Sequence, residues 1–372
     1  MNPDEKSKAY QRIKQRLVLF NLILTPALLF LTLVLPMNTT FVQWAAVAPN
    51  HYAQLSLYFF YFSLWMLVFD LPLSFYSGYW VEHQFDLSNQ TLGAWGVDLL
   101  KRSVLSFIVS LGLIIALYAL IWHQPESWWF WAWISFVAFS YGMGKIFPVL
   151  VVPMFYKYGR VEDQLLVQRI LNLGIRYGLP IQNVYSINLS KTTKKANAAF
   201  MGMGKTKRVV LSDTLLQNFT ADEIETVVAH ELGHFKHGDI WKQLVMGTCF
   251  SGAAFYGASR SIDPLGEYFH LHGISNIGTL PVLFFIFYGI YCLLTPLQNA
   301  LSRKMERAAD LFSLSAFPKP AVFVSCMEKL ARVNLADTDP HPLYEWFFYD
   351  HPAIRKRIDM AKKWNDHDGS GL

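Results

Sequence analysis

Six stretches of this chain, roughly 17–36, 52–71, 103–122, 128–148, 243–259 and 280–301, are each long and apolar enough to span a bilayer. That feature constrains the fold more than any other. A hydrocarbon core about 30 Å thick takes about 20 apolar residues as helix. A backbone crossing it must satisfy its own hydrogen bonds, which leaves helices and closed barrels. Tryptophans gather at the ends of these stretches (Trp122, Trp128, Trp129, Trp131 and Trp133), as an interfacial belt requires. With 53% apolar and 16% aromatic residues, a purely soluble protein is excluded. The expected class is a mostly α-helical, multi-pass integral membrane protein in contact with the lipid bilayer.

Lys and Arg give the orientation. The N-terminal tail carries Lys6, Lys8, Arg12, Lys14 and Arg16, and Lys101 and Arg102 fall between the second and third spans. The region 156–242 and the tail after 302 are basic, whereas 38–51 and 123–127 have neither residue and 260–279 has only Arg260. All basic segments therefore share one side, the cytoplasmic one by the positive-inside rule, together with both termini. The first apolar run exceeds the h-region of a cleavable signal peptide and reads as a retained anchor. Cys249, Cys292 and Cys326 are scattered and form no disulfide framework or metal-type pair. The net charge of +5 is accounted for by topology, and no motif points to a nucleic-acid partner.

The chemistry sits in His230-Glu231-Leu232-Gly233-His234. Two histidines four apart lie on one helical face and can share one metal ion, with Glu231 beside it as a proton acceptor. An accidental match is expected in about 1% of chains this long. Thr220 followed by Glu223 is a capping box that starts this helix. The helix runs into the fifth span within a dozen residues, so the site lies close to the membrane surface or within it.

From about 156 the composition turns soluble. Residues 160–178 show helical spacing; 184–189 and 208–211 read as short strands, with 197–202 as a third, and Ser212-Asp213-Thr214 opens a helix. Pro148 and Pro153 bracket the exit from the fourth span, where helix should stop. Asp70 and Glu82 either line a hydrated cavity or mark the end of the second span.

A catalytic zinc site usually has three protein ligands and an open position. After the sixth span, Glu306 and Asp310 share a helical face. Glu306 is the candidate third ligand, and Asp310 would accept the free ring N–H of a liganding histidine. The competing reading pairs Glu306 with Arg303 or Arg307 on a solvated face. His237 and Asp239 are read as supporting or solvated residues, not ligands.

The H-E-x-x-H motif, Ser302-Arg303-x-x-Glu306-x-x-Ala309-Asp310 and Asn197-Ala198-x-Phe200 together resemble the M48 metallopeptidases, and within them the type I CAAX prenyl proteases. Trp80-Val81-Glu82 through Asn89-Gln90-Thr91, Pro153-Met154-Phe155, Lys207 through Leu216, His341-Pro342-Leu343-Tyr344, and His351-Pro352 with Arg357 match that branch. The resemblance covers roughly 60–360. It implies one Zn2+ per chain on His230, His234 and Glu306, with Glu231 as general base. It also implies His351 as oxyanion stabiliser supported by Arg357. Asn197, Ala198 and Phe200 would form an edge strand to which a peptide substrate adds. The implied fold is a polytopic helix bundle or barrel around a hydrated chamber, with a membrane-apposed zincin-like metallopeptidase domain containing a small β-sheet. The family's ring has seven spans and the apolar stretches supply six. The expected organisation is a four-span N-terminal domain, 1–155, followed by a metallopeptidase domain, 156–372, interrupted by spans at 243–259 and 280–301.

The function so implied is a membrane zinc metalloendopeptidase cutting near the C-terminus of C-a-a-X-type substrates, prenylated or not. Two alternatives stay open: a membrane-protein quality-control protease, and a non-proteolytic scaffold or transporter with a structural metal. A structural zinc site is closed by four ligands, commonly cysteines, and no cysteine lies near the motif.

Overall fold

The computed structural model describes residues 3–179, 181–201, 208–271 and 273–364. The chain opens with α1 (Pro3–Val34), a short α2 (Met37–Ala45) and α3 (His51–Phe75), which a π-turn at Tyr76–Trp80 extends into α4 (Val81–Gln84). α5 (Leu92–His123) and α6 (Trp128–Ile146) follow, and a second π-turn at Phe147–Val151 carries α6 into α7 (Val152–Phe155). Next come β1 (Tyr158–Arg160), α8 (Gln164–Arg176), β2 (Asn183–Ile187), β3 (Ala198–Met201), β4 (Arg208–Ser212), α9 (Asp213–Asn218) and α10 (Ala221–Lys236). α11 (Asp239–Tyr268) and α12 (Leu280–Ala316) are long again, and α13 (Pro320–Asn334), α14 (Pro342–Phe348) and α15 (Ile354–Lys363) close the chain.

Among the described residues, five helical stretches are long and apolar enough to cross a membrane: Glu5–Val34, His51–Gln84, Leu92–His123, Trp128–Phe155 and Ile277–Ala316. The expected span at 243–259 lies in α11, which has the length, 30 residues, but more polar and small residues. Those residues serve packing. A Cβ on Gly252 would sit 3.1 Å from the Trp133 ring, and one on Gly257 3.1 Å from Ile290. Trp133 Nε1 also donates to the Thr248 carbonyl at 3.0 Å. Between 0% and 39% of the apolar window of each of the five is buried in protein, so most of their surface faces lipid or an interior space.

Pro148 does not end the fourth long helix as expected. It sits in the first turn of the π-segment, and Pro153 in the first turn of α7. A wider turn there accommodates the missing N–H and the ring, so the helix runs on to Phe155. Glu82 does more than mark a helix end. Tyr10 donates to it at 2.6 Å, and Lys14 and Lys195 each pair with it at 2.9 Å. Gln11 Nε2 donates to the Leu335 carbonyl at 2.6 Å. These bonds staple the start of α1 to α4, to Lys195 ahead of β3 and to Leu335 at the end of α13. Asp70 is exposed and accepts from Ser74 at 3.0 Å.

The sheet has the order β1-β2-β4-β3. β2 and β4 pair parallel, while β1 and β3 pair antiparallel to their neighbours. β1 falls where the sequence reads as the approach to a helix; three residues with one glycine give no alternation to detect. One apolar core lies beneath the sheet, with Val209, Leu211, Leu215, Val228, Leu232 and Phe323 at its centre. A second, built from Leu29, Tyr58, Phe62, Tyr118 and Leu283, ties the long helices together.

Candidate metal centre

α10 begins as its sequence predicts. The Thr220 side chain accepts from Glu223 N at 3.3 Å, and the Glu223 carboxylate accepts from Thr220 N at 2.8 Å. The helix then crosses α12 at very short range. A Cβ on Gly233 would sit 2.9 Å from the Ala309 Cα, so glycine and alanine at these positions let the two backbones touch. That contact brings His230, His234 and Glu306 together. One donor atom from each lies within 4.8 Å of the others, and among the described residues this is the group able to hold a metal ion.

The geometry around the three is directional. His230 Nδ1 contacts Asp310 Oδ1 at 2.8 Å, and His234 Nδ1 contacts Asp239 Oδ2 at 3.0 Å. A carboxylate can only accept, so each Nδ1 carries the proton and each Nε2 can turn a lone pair inward. The two Nε2 atoms are 3.1 Å apart, and each is 3.2 Å from a Glu306 oxygen. A tetrahedral ion with bonds of about 2.0–2.1 Å would separate its ligand atoms by about 3.3 Å. Glu306 Oε2 is buried and has no hydrogen-bond partner, an orphan that an ion would satisfy. The residues present fit a divalent cation.

Electrostatics agree. Burial works against a charge on His230, but the Asp310 and Glu306 carboxylates outweigh it and push the imidazole up to about 9. His234 is also raised, burial again being overcome by Glu306. The field between the rings favours positive charge, which a metal supplies.

The supporting residues are placed as follows. Arg357 donates to Asp310 from Nε at 2.8 Å and from Nη2 at 2.5 Å, which fixes the carboxylate that orients His230. Asp239 does the same for His234 and is itself held by Lys242 at 2.8 Å. Gly238, at φ 67°, makes the left-handed turn that sends Asp239 back towards the ring. The expectation that Asp239 supports the site without ligating it agrees with this geometry. His237 packs on Phe312 and lies outside the cluster. Glu231 follows His230 on α10 and is half-buried. His351 reaches the same cluster from the C-terminal segment, its Nε2 3.2 Å from Glu306 Oε1 and its Nδ1 2.8 Å from Asp350. The competing pairing of Glu306 with Arg303 or Arg307 is absent among the described ion pairs. Arg303 instead contacts backbone carbonyls of α14 and of Tyr349 just after it, a role its place in the sequence motif does not reveal.

β3 is the free edge of the sheet beside α10, and Phe200 stacks on Phe235 at 5.2 Å. Ser212 N donates to the Asn197 carbonyl at 2.9 Å, which makes 197 and 212 a hydrogen-bonded pair. Antiparallel alternation then points the N–H and C=O groups of Ala198 and Phe200 outward, away from β4.

A histidine pair on one helix and a carboxylate on the next, set against long apolar helices, define a membrane metallopeptidase. The model of peptidase family M48 matches residues 161–365, and that of the CAAX prenyl protease N-terminal region, described as five membrane helices, matches 4–157. The chain belongs to peptidase family M48. It is 30% identical over 370 residues to an uncharacterised metalloprotease of Bacillus subtilis, YhfN, covering 98% of this chain and 87% of that one. It is 30% identical to the CAAX prenyl protease 1 of Saccharomyces cerevisiae (78% of this chain, 68% of that one) and 25% identical to the human homologue (88% and 78%). The crystal structure of S. mikatae Ste24p superposes with a TM-score of 0.85 at 24% identity, over 96% of this chain and 89% of that one, and shares the fold. The protein is an integral, multi-pass membrane metalloprotease of the CAAX prenyl protease type.

Proposed function

We propose that the metal is a single Zn2+ on His230, His234 and Glu306, and that the enzyme cuts peptides near the C-terminus of prenylated C-a-a-X-type substrates. The observation that carries the zinc assignment is the inward-facing pair of Nε2 atoms beside the orphaned Glu306 oxygen. Zinc, when bound, supplies Lewis acidity to a carbonyl and to water. Glu231 takes the proton from the attacking water and returns it to the leaving amine. His351 donates to the oxyanion that develops, while Asp310 with Arg357, and Asp239 with Lys242, hold the two ligating rings in their tautomers.

Substrate lies extended along β3, bonded to the outward backbone groups of Ala198 and Phe200, with Asn197 at the start of the edge. Its side chains alternate between the sheet side and the interior space among the helices. A lipid chain placed against the membrane-embedded helices would gain about 0.8 kcal/mol per buried CH2. Residues 1–155 form the membrane domain and 156–372 the metallopeptidase domain, interrupted at α11 and α12. The catalytic face is cytoplasmic. The staple from Tyr10 and Gln11 to Glu82 and Leu335 puts the basic start of α1 on that face, which supports six crossings. Cysteines introduced at the exposed Thr39, Glu126 and Asn276 of a cysteine-free variant should label from outside intact cells, and those at Ser7 and Asn89 should not; outside labelling at Ser7 would contradict the six-span topology.

The substrate is tested on one purified preparation with a farnesylated C-a-a-X peptide, its C-terminally amidated form and an unfolded membrane-protein segment. The free-acid prenyl peptide should have the highest kcat/KM. Equal rates on the first two, with the third faster, would replace C-a-a-X processing by quality-control proteolysis and leave the zinc chemistry standing.

A further inference from the structure

The catalytic reading above places His351 over the reacting carbonyl, yet very little of His351 itself is held. Half of its side chain is exposed, and its described polar contacts are Glu306 and the adjacent Asp350. Its position must therefore come from its backbone, residues 349–353.

That backbone is gripped at both ends. On the upstream side, α14 ends at Phe348 with the Tyr349 N–H bonded to the Glu345 carbonyl at 3.1 Å, and the carbonyls that follow lie past the helix's own donors. The two hydrogens of Arg303 Nη1 are shared among three carbonyls there: Glu345 at 3.1 Å, Trp346 at 3.4 Å and Tyr349 at 2.5 Å. Asn299 Nδ2 donates to a fourth, Phe347, at 2.5 Å. A guanidinium set against the negative end of a helix adds favourable charge to these bonds. On the downstream side, Glu345 is buried, and its carboxylate accepts from Ala353 N at 3.0 Å and Lys356 Nζ at 2.5 Å.

Asn299, Arg303, Glu306 and Asp310 lie at i, i+4, i+7 and i+11 of α12, one face of one helix. The metal ligand and the clamp on the His351 segment therefore move as a single rigid body. We infer that Arg303 is a positioning residue for His351: by docking the end of α14 on the helix that carries Glu306, it fixes the distance between His351 and the metal cluster. The inference rests on the assignment of His351 to the oxyanion.

The test uses the full-length, zinc-loaded protein and the variants Arg303→Gln, Arg303→Lys, His351→Ala and the double variant Arg303→Gln/His351→Ala. His351→Ala should lower kcat about 100-fold, and Arg303→Gln about tenfold or more, since small misplacements of a catalytic group cost that much. KM and bound zinc should stay near wild type. The double variant should be no worse than His351→Ala, because both changes remove the same contribution. Arg303→Lys, which keeps the charge but is shorter and lacks the planar guanidinium, should recover part of the loss.

A readout apart from activity is hydrogen exchange. In Arg303→Gln, the amides of Tyr349, Asp350, His351 and Ala353 should exchange about tenfold faster with those of α10 unchanged. If Arg303→Gln does not accumulate as folded protein, Asn299→Ala, which removes only the Phe347 bond, should show the same pattern at smaller size. Multiplicative losses in the double variant, or unchanged kcat and exchange in Arg303→Gln, would overturn the inference. An unaltered kcat in His351→Ala would remove both the oxyanion role and its positioning. Zinc content and the dependence on Glu231 would then still stand or fall separately.

Discussion

The metal cluster and the segment that brings His351 to it converge on the same carboxylate, Glu306, but are built in different ways. The cluster comes from two regular helices whose functional residues repeat at helical spacing: His230 and His234 on α10, Glu306 and Asp310 on α12. Every member is buried or half-buried and held by a second group. The His351 segment and the β3 edge are irregular or peripheral. They are held by bonds between parts of the chain far apart in sequence, such as Arg303 to 345–349 and Lys195 to Glu82. The difference separates binding a metal, which needs rigidity from local pattern, from arranging a substrate, which is left to long-range contacts.

If the cluster is the rigid part, damage there should be total. Glu306→Ala should lose bound zinc and bring cleavage to background, read by metal analysis of purified protein. Full zinc content in that variant would remove Glu306 from the ligand set.

Removing an orienting carboxylate should do less. Asp239→Asn should leave the ligands in place and weaken zinc affinity by about 10–100-fold, measured by competition with a chelating dye. Unchanged affinity would mean that His234 needs no help from Asp239, and that the cluster is less interdependent than described.

Packing beneath the cluster gives a third, smaller effect. Gly233→Ala puts a methyl group 2.9 Å from the Ala309 Cα. It should destabilise the protein by about 1–3 kcal/mol in denaturant unfolding, because the backbones of α10 and α12 must move apart. A neutral result would show that the close approach is not needed.

The mildest effect concerns pH. Although burial raises Glu223, Lys329 and the Thr220 backbone N–H outweigh it and hold its carboxyl below the usual carboxylate value of 4.5. A carboxyl so lowered contributes stability above about pH 4.5 that is lost as pH falls through its folded value. Glu223→Gln should therefore lower Tm most near neutral pH and converge on wild type on acidification. Parallel Tm curves down to acid would assign the cap no charge contribution.

Much of the first region was legible in the residues. Helical spacing picked out the candidate ligands, the Thr220–Glu223 box marked where α10 begins, and apolar length located the helices. Gly233 and Ala309 stood in the motifs, but why they must be small follows only from the crossing of α10 and α12. Less was legible in the second region. Glu82 could be read only as a cavity-lining or helix-end charge because its partners, Tyr10 and Lys195, lie 72 and 113 positions away. β1 is too short to show alternation, and the π-turn around Pro148 trades a proline stop for a continuous helix, which local rules do not foresee. α11 read as a span on length, while its small residues turned out to be a packing face against Trp133 and Ile290.

The central claim is that this chain cleaves peptides with a metal held by His230, His234 and Glu306 and with Glu231 as base. It is tested most directly by zinc content and peptide cleavage measured together on wild type and Glu231→Gln. The expected result is about one zinc per chain in both, with cleavage present in the wild type and near background in the variant. A variant as active as wild type, or a wild type that holds zinc yet cleaves nothing across a broad peptide library, would contradict it.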